Sequence, residues 1–480
     1  MTADLRPPRP ARRVAPWAVA TFVGLLAVPL PVALGALTVA LLVKAAARGV
    51  ARHRAATAGP QPLLPDGALR AHGLILGASG SGKTTTLLSI LSEEIRRGRP
   101  VVAIDLKGSP QFAADLQAAA HAAARPFTVW SADGGAHWNP LAHGNATELK
   151  DKLIATERFT EPHYQRAAER YVQTAIQVMQ ESRPLTPVTL AGVIELLDPP
   201  RLAAATRALP RSRADQVRMY VASLTPDQLS AVRGLASRLA VIAESHTGRY
   251  LEPGPSGAGG PDLDLRQALN GSEGQVVLFS LNSSTYGGLA AQLGTLAVQD
   301  LVSAAGERLS SNVAGARDHG RPPLAIVGID EFSAIGSDNV VSLLARGREA
   351  GVGVVLATQE LADLDRAARG LREQVLGNTA VKIAHRQDVP ESALAVARLA
   401  GQVKVWDRSY QQTPGSLGFG TSTRTTARLT DGYLIEPEQV RSLETGEAVV
   451  IVKSPRADAR VTRVRPPSQT GLGRSTTPER

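Results

Sequence analysis

The run Gly77-Ala78-Ser79-Gly80-Ser81-Gly82-Lys83-Thr84 constrains this chain more than any other stretch. It matches GxxxxGK[ST] in full. A short apolar strand pattern, Leu74-Ile75-Leu76, precedes it, and an apolar-periodic helix pattern follows with Leu87, Leu88, Leu91 and Ile95. A glycine-rich turn alone is unspecific, but strand, loop and helix in this order make a cradle for phosphate. The backbone N–H groups of Gly77, Ser79, Gly80, Ser81 and Gly82 can turn inward, and the helix N-terminus adds positive potential. Lys83 then reaches the β- and γ-phosphates of ATP, Thr84 ligates Mg²⁺, and Thr85 completes the nucleotide-binding set.

Such a site needs a carboxylate at the tip of another buried strand. Leu324 to Ile329 is that strand, and it ends in Asp330-Glu331. Asp330 is placed for the Mg²⁺ shell and Glu331, one residue on, for polarising the attacking water. A third strand, Val352 to Ala357, ends in Thr358-Gln359, whose amide can sense the γ-phosphate or orient water. The helix before that strand carries Arg346 and Arg348, either of which can serve a neighbouring subunit's nucleotide as an arginine finger. Val101 to Asp105 is a further strand, and Gln275 to Leu281 another. Strands alternating with helices predict an α/β fold with a doubly wound, mostly parallel sheet and its ligand at the strands' C-terminal ends. Leu289 to Leu309 reads as a helix and Asn312 to Pro323 as a polar loop.

The ends of the chain carry its charge. Residues 1–54 hold 8 basic against 1 acidic residue and residues 455–480 hold 6 against 2, which accounts for the net charge of +10; the body between is close to neutral. From Val14 to Val43 there are 30 residues without a charge, flanked by four basic residues on each side. As one helix this run would be about 45 Å long, against a hydrocarbon core of ~30 Å. A cleaved leader has an apolar stretch of only up to ~15 residues, so the run reads as a membrane anchor. Pro29 and Pro31 divide it. One kinked, tilted span fits the length, and a hairpin with both ends cytoplasmic fits the basic flanks. Cysteine is absent, which excludes disulfide scaffolds and thiol nucleophiles.

Between Thr147 and Glu252 helical periodicity takes over, as in Ala168, Tyr171, Ala175, Ile176 and Met179. The expected organisation is an anchor (1–54), a linker (55–70), a first ATPase part (71–146), an inserted all-α domain (147–252), a second ATPase part (253–465) and a disordered tail (466–480). The histidines lack metal-ligand spacing, so Mg²⁺ is the only metal expected. Trp138 is expected to pack in the core. No aromatic-rich basic stripe appears, so any DNA contact is expected at backbone phosphates, with little sequence specificity.

The ordered series GASGSGKTT, IDLKG, WNPL (Trp138 to Leu141), DEF, GREAG and ATQE resembles the type IV secretion coupling proteins of the TraG/TraD type, relatives of the FtsK and HerA DNA pumps. The similarity runs from about Ala71 to about Thr462 and includes Leu376-Gly377-Asn378, Arg386-Gln387-Asp388 and Leu443 to Ala448. The resemblance implies a RecA-like ATPase ring, usually a hexamer, at the cytoplasmic face of a bacterial inner membrane. It also implies DNA, often bound to a relaxase, as the substrate handed to a secretion channel. Residue by residue it maps Lys83 and Thr84 to the Walker A motif, Asp330 and Glu331 to Walker B, Gln359 to the strand-end glutamine and Arg348 to the arginine finger. Two departures stand out: the family often has two clear membrane helices, and Ser109 stands where an acid commonly follows IDLKG. Two other functions fit the same motifs, a double-stranded DNA pump without a secretion channel and a substrate receptor whose ATPase only switches affinity.

Overall fold

The computed structural model describes residues 62–467 apart from 158, 160, 255–261, 272, 316–322, 336, 415–420 and 455. The uncharged run Val14–Val43 and the tail beyond Pro467 lie outside the described residues. No helix among those described is long and apolar enough to cross a membrane.

Twelve strands are described, in chain order β1 (Gly73–Leu76), β2 (Val101–Asp105), β3 (Phe127–Ser131), β4 (Gly134–Gly135), β5 (Val276–Ser280), β6 (Ala325–Asp330), β7 (Val352–Thr358), β8 (Val381–Ala384), β9 (Gln402–Pro414), β10 (Thr421–Tyr433), β11 (Glu447–Val452) and β12 (Asp458–Arg463). Ten of them form one sheet in the order β12-β11-β8-β1-β7-β6-β2-β5-β3-β4. From β8 to β3 every pairing is parallel, and only the margins turn antiparallel. The central strands are continuous apolar runs because both faces of the sheet are covered. Ile75, Val101 and Ile326 pack on one side with Leu87, Leu91, Phe112 and Leu116. Leu74, Leu76, Val102 and Val327 pack on the other with Leu293 and Leu343.

The order β1-β7-β6-β2 inserts two late strands between the first two. Register then aligns their tips: Leu76 pairs with Thr358 and with Ala384, Asp330 with Ala357, and Asp105 with Asp330. Five loops, those after β1, β2, β6, β7 and β8, therefore leave the same edge of the sheet side by side.

Every element between Ala146 and Leu251 is helical among the described residues. Asn145 caps the first of these helices, accepting from the backbone N–H groups of Thr147 and Glu148 while Glu148 reaches back to the Asn145 N–H. The helical segment is pinned to the helix that follows β5 by a buried polar cluster. Lys152, 1% exposed, donates to Asp300 Oδ1 at 2.7 Å and to the Pro140 carbonyl at 2.9 Å, while Trp138 Nε1 donates to Asp300 Oδ2 at 3.0 Å. Trp138 packs edge-on against Trp130 and Phe279, as a core residue should.

Two regions differ from the sequence expectation. The helix placed at Leu289–Leu309 runs from Ser283 to Gly315 with a break at Gly287, so it takes up the start of the loop expected from Asn312. Strands β9 (Gln402–Pro414) and β10 (Thr421–Tyr433) pair antiparallel outside the main sheet, which no apolar alternation foretold. Trp406, 65% exposed, faces Leu429 across this pair.

Removing one partner of the buried Lys152–Asp300 pair leaves an uncompensated charge, which destabilises by about 3 kcal/mol. Lys152→Ala should therefore lower the urea midpoint substantially, and adding Asp300→Ala should recover part of the loss. A double variant less stable than the single one would contradict the pairing.

Candidate active site

The glycine-rich loop between β1 and the helix Lys83–Arg96 is held from three directions by backbone bonds. Gly77 N–H donates to the Gln359 carbonyl at 3.1 Å, Ala78 N–H to the Arg386 carbonyl at 3.1 Å, and Gly446 N–H to the Ser81 carbonyl at 3.1 Å. The tips of β7 and β8 and the turn before β11 thus clamp it. Gly80 and Gly82 have φ of 72° and 113°, a region that side chains rarely adopt. At Gly77 a Cβ would stand 2.5 Å from Ser81 Oγ and 2.7 Å from His385 Cβ. Ser79 and Gly80 face outward, and Thr85 is half-buried on the first helical turn.

Lys83 and Thr84 open the helix. Lys83 Nζ donates to the carbonyls of Gly77 at 2.7 Å and Ala78 at 3.2 Å. Burial first, and then the charge of Lys107, pull the Lys83 ammonium below its ordinary value, against Asp330, Glu331 and Asp363. Thr84 Oγ1 donates to Asp330 Oδ2 at 2.9 Å. Asp330 is fully buried, and its other oxygen, Oδ1, has no hydrogen-bond partner among the described residues. Ser81 Oγ is buried without a partner too. An orphaned carboxylate oxygen beside a threonine hydroxyl is a donor set suited to a hard divalent cation, which takes one or two carboxylates and completes its shell with phosphate and water. An inward-turned glycine loop suits the phosphates.

Glu331 follows with φ 56° and ψ 41°, in the left-handed region. Its Oε1 accepts from Lys107 Nζ at 2.8 Å and from Gln359 Nε2 at 3.2 Å. Lys107 comes from the loop after β2, where Asp105 accepts the N–H groups of Lys107 and Ser109 at 2.9 and 2.7 Å. Burial chiefly, and the neighbouring Asp330, raise the Asp105 carboxyl.

The structure thus brings Lys83, Thr84, Asp330, Glu331 and Gln359 to one edge of the sheet. It does not bring Arg348 there. Arg348 is exposed near the end of the helix Ser337–Ala350, four residues before β7 begins, whereas Gln359 follows its last residue. Seven strand residues, about 23 Å, separate the two ends.

Comparison with known proteins now has a geometry to meet. The family described as the type IV secretion-system coupling protein DNA-binding domain matches residues 58–217, and the TraM recognition site of TraD and TraG matches residues 325–445, together more than half of the chain. The chain belongs to the type IV secretion coupling proteins. Among solved structures, the unbound monoclinic form of the bacterial conjugative coupling protein TrwBdeltaN70 matches with TM-score 0.59 and 13% identity, over 84% of this chain and 86% of that one. Plasmid coupling protein TrwB in complex with the non-hydrolysable ATP analogue ADPNP, and the same protein with ADP and Mg²⁺, each match with TM-score 0.57 and 13% identity, over 84% of this chain and 87% of theirs. At that identity the agreement is one of fold. No curated protein matches by sequence.

Three residues of this coupling protein's site went unassigned from sequence. Lys107 and Asp105 sit in the quoted IDLKG run, an ordinary strand end until β2 is seen beside β6. His385 had no local signal beyond preceding Arg386-Gln387-Asp388. It is fully buried, pairs with Thr86 Oγ1 through Nε2 at 2.8 Å, and reaches the Glu447 carbonyl through Nδ1 at 2.8 Å. Nδ1 must donate, because a carbonyl only accepts, and in the neutral ring Nε2 then accepts from the Thr86 hydroxyl.

Burial holds His385 down at about 4, and the charge of Lys83 adds to it against the Glu447 hydrogen bond. A folded-state value below the unfolded one leaves stability intact above pH 6.5 and removes it as pH falls toward 4, about 3 kcal/mol in total. Urea unfolding at pH 7, 5 and 4 should show this loss, and His385→Asn should show a shallower one. Equal pH dependence in both proteins would contradict the assignment.

Proposed function

We propose that this coupling protein is a membrane-anchored, ATP-hydrolysing DNA translocase that recruits DNA, or DNA bound to a relaxase, and drives it to or through a type IV secretion channel. The observation carrying this reading is the pairing of Thr84 with Asp330, whose second oxygen is buried and unpartnered among the described residues, inside a clamped glycine loop. TrwB, a coupling protein of the same fold, is known in complex with ADPNP and with ADP and Mg²⁺. ATP would supply the phosphoanhydride bond, with Mg²⁺ neutralising the developing charge.

The chain's own residues then have distinct tasks. Ser79, Gly80 and Gly82 offer backbone donors to the phosphates, with Thr85 at the helix end; the Gly77 and Ser81 N–H groups are instead taken by the Gln359 and Ala78 carbonyls, so these two residues shape the loop. Lys83 exchanges two carbonyls for phosphate oxygens. Thr84 and Asp330 Oδ1 would hold the metal. Glu331 Oε2, left free by Lys107 and Gln359, takes the proton of the attacking water, while Gln359 keeps that carboxylate oriented. Arg348, at the far edge of its own sheet, serves a neighbour, which motivates a RecA-like ring and a homo-hexamer. The helical segment 147–252 is the inserted domain receiving DNA or relaxase; the DNA-binding-domain match at 58–217 covers much of it and the loop together. The match at 325–445 supports a protein partner of the relaxase complex. The basic-flanked apolar run is the anchor in a bacterial inner membrane, with the ATPase cytoplasmic.

Purified full-length protein should hydrolyse ATP faster when DNA is added, and Lys83→Ala should lose both nucleotide binding and turnover. Glu331→Gln should bind ATP and stall. A higher rate with duplex than with single-stranded DNA, independent of channel proteins, would favour the double-stranded pump; a rate raised by a partner protein but by no DNA would favour the receptor. Retained turnover in Lys83→Ala would overturn the site.

A further inference from the structure

Among the described residues Glu331 is engaged through Oε1 alone, and the group gripping it most closely is an ammonium that sequence reasoning left without a role. Lys107 Nζ stands 2.8 Å from Glu331 Oε1. The ammonium fixes one oxygen of that carboxylate and holds the side chain in one orientation, so this contact restrains the residue assigned to activate water. The loop carrying Lys107 cannot retreat. Its backbone is tied to both oxygens of Asp105, and Ser283 N–H donates to the Leu106 carbonyl at 2.7 Å. Gly108 has φ 69°, and a Cβ there would meet Asn282 Cα at 2.7 Å. The side chain of Lys107, in contrast, is 41% exposed on a flexible four-carbon stem.

Two cations therefore converge on the phosphate side of the loop, one fixed and one able to swing. Burial draws the Lys107 ammonium down, but the hydrogen bond to Glu331 and the charges of Asp330, Glu331 and Asp105 more than reverse it. Its charge in turn is felt by Lys83. We propose that Lys107 is a latch on Glu331, closed by their ion pair and opened when a terminal phosphate offers Lys107 a second anion. It is a positioning residue acting through Glu331, and it makes the site distinguish triphosphate from diphosphate. A diphosphate lacks the competing anion, so the latch stays shut and Glu331 stays restrained. The proposal rests on the nucleotide reading above.

The test is a double-mutant cycle on the full-length protein, with equilibrium affinities for ADP and for the non-hydrolysable analogue ADPNP measured on wild type, Lys107→Met, Glu331→Gln and the double variant. Breaking the latch with Glu331→Gln should raise the preference for ADPNP over ADP by about fivefold, the scale of coupling between groups in contact. In the Lys107→Met background the same change should have no such effect, and Lys107→Arg should restore it in part. The far-ultraviolet circular dichroism of all the variants should coincide with that of the wild type, which excludes misfolding. An equal effect of Glu331→Gln in both backgrounds would overturn the latch while leaving the nucleotide site standing. Failure of the wild type to bind either nucleotide would take down the site itself and the latch with it.

Discussion

The hydrogen bond between Thr84 and Asp330 closes the site, and most of the architecture exists to make it possible. The two residues are 246 positions apart and belong to the first turn of one helix and the tip of β6. A bond to a charged acceptor contributes about 1.5–3 kcal/mol, too little to assemble such a distance by itself. The parallel register does the assembling. With β7 inserted between β1 and β6, the glycine loop, Asp330 and Gln359 leave adjacent strands at one level. The bond then selects one orientation of Asp330, and its second oxygen is left buried without a partner among the described residues.

The same register explains the division of tasks along the chain. Everything that touches the loop sits at the C-terminal edge of the sheet, and Arg348 sits at the opposite edge of β7. The glycine loop and Arg348 therefore lie at opposite ends of β7. The β9–β10 pair also stands apart from the main sheet, with Trp406 and Leu429 exposed on it.

The centre of the fold was legible in the amino-acid sequence and its margins were not. β1, β2, β6 and β7 are covered on both faces, so each appears as an apolar run, and β2, β6 and β7 end in a polar residue. Gly77 to Thr84 is legible because a phosphate cradle needs particular residues at consecutive positions. Lys107, His385 and Gly446 do their work across long sequence separations, where no local pattern records the contact. His385 gave no sign because its partners, Thr86 and the Glu447 carbonyl, come from other elements. The β9–β10 pair escaped notice for a different reason: its described side chains are mostly exposed, so it carries no buried alternating stripe among them. The apolar run Val14–Val43 is the clearest compositional feature of all and lies outside the described residues.

The central claim is that Asp330, oriented by Thr84, holds a metal against a nucleotide in the glycine loop. Calorimetric titration of ADP into the protein, with Mg²⁺ and with a chelator, tests it most directly. The wild type should bind ADP at least about tenfold more tightly with Mg²⁺, the scale of one retained metal-ligand contact, and Asp330→Ala should bind equally with and without it. An Mg²⁺ dependence that survives Asp330→Ala, or is absent from the wild type, would contradict the account.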